Sequence, residues 1–128
     1  MLVPEDIRIA AAQAYIDALV SRDGDAVPFA DGCTRIEQGI KNGFSGKHLR
    51  RSLNRGAQYW VIADTTPPDY RIAGDEVRAT YDVLTKAAFG GRRLCARVDE
   101  TFVIPAESPG GKAAIHHIRV RFRPFIQR

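Results

Sequence analysis

Residues 29–39 read FADGCTRIEQG, and the fold turns on how this stretch is read. The stretch holds an acidic turn and then alternating side chains, and Gly39 ends the extended run. Cys33–Glu37 reads as a short strand, with Cys33, Arg35 and Glu37 on one face and Thr34 and Ile36 on the other. A carboxylate so late in a strand either sits in water or points into a cavity and moves protons. The rest of the chain has to choose between these two readings of Glu37.

Upstream, Pro4–Ser21 is expected to form a helix. Glu5 and Asp6 favour the positive end of its dipole, and Ala12, Tyr15, Ile16 and Leu19 recur at helical spacing. The run RDGD at 22–25 ends it, and a short helix around Ala26–Ala30 is compatible with Pro28 near its start. Downstream, GIKNGFSG reads as a loop, and Ser45 caps a helix GKHLRRSLNR that ends at Gly56. AQYWVIAD reads as a strand with one of Tyr59 and Trp60 buried, Trp60 being the one expected inside, and TTPPDY as a loop. Three longer strands come next, about Glu76–Thr85, Arg92–Ile104 and Lys112–Phe122, joined by turns at Gly90-Gly91 and Pro109-Gly110-Gly111. Helices first and an antiparallel meander last argue an α+β architecture.

The 128 residues are the size of one domain, 1–128, and 45% hydrophobic residues suffice for a core. The net charge of +4, with basic residues gathered at 47–55 and at the C-terminus, reads as solvated faces rather than a nucleic-acid footprint, since no aromatic residues interleave them for stacking on bases. Cys33 and Cys95 lie far apart, outside any Cys-x-x-Cys pair, and fit a reducing cytoplasm. The N-terminal apolar residues are interrupted by Gln13 and Asp17, which suits neither a signal peptide nor a membrane span. The three histidines show no metal-ligand spacing, so no metal is expected. GFSGKH lacks the first glycine and the hydroxyl of a phosphate loop.

The order of these elements resembles the nuclear transport factor 2-like superfamily. AYIDALVSRDGDAVPFADGCTRIEQG is similar to its opening pattern, GGRRLCARVDETFVI to its penultimate strand and KAAIHHIRVRF to its last. The resemblance implies a cone-shaped, curved antiparallel sheet with the N-terminal helices packed on its concave face around a pocket. Among the superfamily's enzymes the ketosteroid isomerases offer the closest residue comparison, and SnoaL-like polyketide cyclases and dehydratases fit as well. By that resemblance Glu37 stands at the position of the general base, and Tyr15 and Asp99 at those of the two donors that hold an enolate oxygen. Asp99 can donate only while protonated. Arg97 on its face would keep it ionised, and Val98, Phe102 and Ile104 form the more apolar set beside it, which leaves its facing open. Arg35 can hold Glu37 ionised or occupy it as an ion pair.

Period-two alternation adds Tyr81 and Val83, with Ile118, Val120 and Phe122, to the wall of a core or cavity, and gives His116 the parity of Ile118. Arg35 and Trp60 complete the expected lining. The functional expectation is a small-molecule pocket protein: a cofactor-independent isomerase, cyclase or dehydratase acting on an apolar steroid- or polyketide-like ligand. A non-catalytic ligand-binding or scaffold protein is the alternative. A homodimer through the sheet is expected, with no nucleic-acid, membrane or metal partner.

Overall fold

The N-terminal helix forms because its small and apolar residues can be buried on one side. In the computed structural model, which describes residues 1–128, this helix is α1, Glu5–Ser21, and Ala12, Tyr15, Ile16 and Leu19 are all buried. Arg22 closes it in the left-handed conformation, with φ 63°. A 3₁₀ turn, Gly24–Ala26, leads into β1, Phe29–Glu37, and β2, Ile40–Gly43, folds back on it. Then α2, Gly46–Arg55, begins at Ser45, whose hydroxyl accepts from the His48 N–H at 3.0 Å. A second 3₁₀ turn, Ala57–Tyr59, precedes β3, Ile62–Thr65, and β4, Asp69–Ala73. The long strands β5, Glu76–Phe89, β6, Arg92–Val103, and β7, Ile115–Gln127, complete the chain's regular elements.

All seven strands join one curved, unclosed sheet in the order β2-β1-β7-β6-β5-β3, with β4 also on β5. Every pairing is antiparallel except one: β1 runs parallel to β7, so the sheet is mixed rather than wholly antiparallel. Past the end of β1 the side-chain amide of Gln38 takes the place of a strand residue. Its Nε2 donates to the Phe122 carbonyl at 3.1 Å, and its Oε1 accepts from the Phe122 N–H at 3.0 Å.

Both helices cover one face of the sheet, and a single apolar cluster fills the space between. The Tyr15 ring meets Phe102 edge-on at 5.5 Å and Phe29 at 6.1 Å. On β5 the inward side chains are Val77, Ala79, Tyr81 and Val83; on β6 they are Val98, Glu100 and Phe102. The opposite face is polar, with Arg97 paired to Asp82 and Glu76 between Arg78 and Arg119. At the helix end of the sheet the buried Arg8 donates to the carbonyls of Ile104 at 2.8 Å and Gly74 at 2.7 Å, tying α1 to the β4–β5 turn.

Three stretches differ from their sequence reading for a local reason. GIKNG lacks buried alternation and becomes β2 because β1 offers it an open edge, while DYRIA pairs with β5 as β4 and turns Tyr70 and Ile72 against the core. QYW is a turn and not a strand, so Tyr59 is buried while Trp60 is 60% exposed beneath the Arg22 guanidinium, 5.0 Å away.

Candidate active site

The open end of the cone holds a cavity of about 270 Å³ between α1, the Ala57–Tyr59 turn and the inner face of the sheet. Its walls are mostly apolar, with Leu19, Ile62, Val83, Val98 and Val120 among them, and Arg35, Glu37, Tyr59, Tyr81 and Glu100 bring polar groups to it. The apolar wall follows from strand alternation. The polar cluster follows from which residues occupy neighbouring inward positions: Glu37 is in line with Glu100 through Val120, and Arg35 and Tyr81 stand one inward position to either side of that line.

Arg35 is 6% exposed, and a guanidinium taken out of water needs partners. Its Nε donates to the Tyr15 hydroxyl at 2.9 Å and its Nη2 to Glu37 Oε1 at 3.0 Å. Burial works against its charge, but Tyr15, Tyr59, Glu100 and Glu37 around it together hold its pKa above the ordinary value. Gly43 makes this placement possible. A Cβ there would lie 2.7 Å from the Arg35 Cβ and 2.6 Å from Leu49, so β2 can close on β1 at this level only without a side chain. Glu37 is held on both oxygens, since Asn42 Nδ2 donates to Oε2 at 3.0 Å.

Glu100 is 3% exposed, and the Tyr81 hydroxyl donates to its Oε1 at 2.6 Å. Burial pushes its pKa up to about 7. The Arg35 charge and the Tyr81 hydrogen bond pull downward, while Glu37 adds a further push. Tyr81 and Tyr15 are themselves raised well above the usual phenol value, chiefly by burial. Both therefore stay protonated at any ordinary pH.

The expected site residues divide accordingly. Arg35, Glu37, Tyr81, Val83, Val120 and Phe122 line the cavity. Tyr15 lies behind it and reaches it only through Arg35, and Ile118 is wholly in the core. Glu37 is at the cavity but is not free. Asp99 is not at the site: it is exposed on the outer face, where Thr80 Oγ1 donates to it at 3.1 Å. The next residue, Glu100, has the inward parity of Val98 and Phe102 and takes the interior position. Trp60 is outside as well, and Tyr59 lines the wall in its place. His116 is exposed rather than inward. Ile115 and Ile118 are both fully buried three residues apart, so the alternation breaks between them. His117 instead shares a hydrogen bond of 2.7 Å with Thr34 Oγ1. No group of three or more histidine, cysteine or acidic side chains is arranged to hold a metal ion.

A curved sheet wrapped over N-terminal helices, with a pocket at its open end, is the nuclear transport factor 2-like fold. Solved structures share it. An LEH-like epoxide hydrolase of M. tuberculosis is 21% identical, with 94% of this chain and 86% of that chain covered at a TM-score of 0.68. A ketosteroid isomerase-like protein of Erwinia carotovora atroseptica is 17% identical over 91% and 94%, at 0.64. An NTF-2 like protein of unknown function from Burkholderia xenovorans is 19% identical over 97% and 88%, at 0.64. The chain belongs to the family described as a domain of unknown function, DUF8021, whose pattern it matches over residues 4–122. No curated protein matches it in sequence.

Proposed function

We propose that this chain is a small-molecule pocket protein and a cofactor-independent acid–base enzyme. Its reaction moves a carbon-bound proton next to a carbonyl, the step that isomerases, cyclases and dehydratases of this kind have in common. The observation that carries the reading is Glu100, a buried carboxyl at the cavity wall with a pKa near 7 and a tyrosine hydroxyl on one oxygen. Such a group is about half ionised at neutral pH, so it can take a proton and return it. Glu100 thus takes the role that the family resemblance assigned to Glu37, and Glu37 serves as counter-ion to Arg35. The likeness in fold to an LEH-like epoxide hydrolase and a ketosteroid isomerase-like protein supports small-molecule chemistry in general terms. A volume of about 270 Å³ is just below the usual range of ligand pockets, about 300 to 1,000 Å³. That favours a one- or two-ring ligand over a steroid.

The test is exchange of α-protons for solvent deuterium, monitored by NMR, across a panel of compact cyclic ketones and keto acids. Exchange above the buffer rate, lost by a factor of about 10²–10⁴ in Glu100→Gln, is the expected result. The saturation of both Glu37 oxygens favours a second, non-catalytic reading in which the cluster only binds. Ligands that raise the melting temperature without any exchange would select that reading. Neither exchange nor stabilisation would remove both.

A further inference from the structure

Two donors at the cavity have no partner in the protein. Arg35 uses Nε and Nη2 on Tyr15 and Glu37, and its Nη1 is bonded to nothing. No buried side-chain polar atom is both sealed from solvent-sized space and unpaired. The free Nη1 of this 6%-exposed residue therefore opens onto the cavity that Arg35 lines. Tyr59, 8% exposed, lines the same cavity, and its hydroxyl also lacks a partner. It lies near enough to the Arg35 guanidinium to interact with it electrostatically. Glu100 faces them with one oxygen on Tyr81 and the other unbonded.

We infer that Arg35 Nη1 and the Tyr59 hydroxyl form a two-donor dock for a carboxylate, so that the ligand is a compact apolar-bodied carboxylic acid. This rests on the reading of the cavity as a ligand site and adds the substrate class. Two donors match the two oxygens of a carboxylate, and a charge-assisted bond to a desolvated guanidinium is strong. Glu37 balances the Arg35 charge through Nη2 alone, so a ligand without an acceptor leaves Nη1 and the Tyr59 hydroxyl unpaired at the cavity.

The dock has a consequence for pH. Glu100 is faced by Tyr81 on β5, Arg35 and Glu37 on β1, Tyr15 on α1 and Tyr70 on β4. A bound carboxylate adds one more negative charge to this set and favours the protonated acid. Binding at pH 7 then takes up a proton, and affinity falls as the pH rises through about 7.

Benzoate and its neutral isostere benzamide test the dock by calorimetry at pH 7, in two buffers of different ionisation enthalpy. Benzoate is expected to bind at least tenfold more tightly and to take up a fraction of a proton that disappears in Glu100→Gln. Tyr59→Phe, which leaves the Arg35–Glu37 pair in place, should weaken benzoate several-fold and benzamide less, so that the preference narrows. Arg35→Met, checked for folding by circular dichroism, should abolish the preference. Benzoate binding no tighter than benzamide, or not at all, overturns the dock, as does an unaltered preference in Tyr59→Phe. Deuterium exchange from neutral ketones that depends on Glu100 would still stand in that event, so failure of the dock and failure of the enzyme reading remain separable.

Discussion

A carboxyl sealed inside a protein resists ionisation, and at Glu100 that resistance becomes a measurable slope. Its pKa of about 7 stands above the 4.5 of the free side chain. Between these values the unfolded chain has released the proton that the folded chain keeps, so stability falls as the pH rises from about 4.5 to about 7 and then levels off. The contribution is on the order of 3 kcal/mol. Glu100→Gln removes it. Denaturant midpoints of variant and parent should meet at low pH, separate between about pH 4.5 and 7 and stay apart above that, with the variant ahead. Tyr81→Phe takes away a donor that favours the ionised form, so the half-maximal pH of deuterium exchange should move upward. Glu37→Gln leaves the buried Arg35 without its charged partner and should cost about 1–3 kcal/mol in urea titration. The same variant should keep the Glu100-dependent exchange, which distinguishes counter-ion from base. At this scale the site was half legible. Glu100 was missed in the sequence although it has the parity of Val98 and Phe102, because the family resemblance drew attention to Asp99, one residue away on the other face. The Arg35–Glu37 pair was legible because two residues on one strand face need no tertiary information to meet.

Elements that carry their own signals matched their sequence reading closely. The helix α2 runs from Gly46 to Arg55 between a serine cap and Gly56, and α1 from Glu5 to Ser21, because caps and helical spacing are local. The short edge strands were not legible. Only Gly43 of β2 is buried, so its extended form is set by β1, and β4 offers only Tyr70 and Ile72, half-buried against the core. The register between β2 and β1 is where an element controls the site. Gly43 stands opposite Arg35, at a shift in register between Arg35 and Ile36. Gly43→Ala puts a methyl group into Arg35 and Leu49 and should destabilise the fold by about 1–3 kcal/mol. Because the displaced residue is Arg35, benzoate affinity should fall more than the loss of melting temperature alone would explain.

For the whole molecule, the proposed homodimer rests on an outer sheet face where Arg97 is paired with Asp82 and Arg119 with Glu76, while Arg121 and Arg123 have no acidic partner within the chain. Sedimentation velocity at micromolar concentration should show a dimer, and a monomer throughout would remove it. The sheet order matters more for how the molecule comes into being. The last strand in sequence, β7, lies between β1 and β6 and supplies the partner of each. A chain ended at Ala114 should therefore show no cooperative melt by circular dichroism, because the sheet splits into two fragments with open edges. On the ribosome the same geometry imposes an order of events. While β7 is still inside the exit tunnel, β1 can pair only with β2, and β6 presents a bare edge to water or to any chaperone nearby. The sheet, and the cavity it encloses, can be completed only once β7 has cleared the tunnel and slid between its two neighbours.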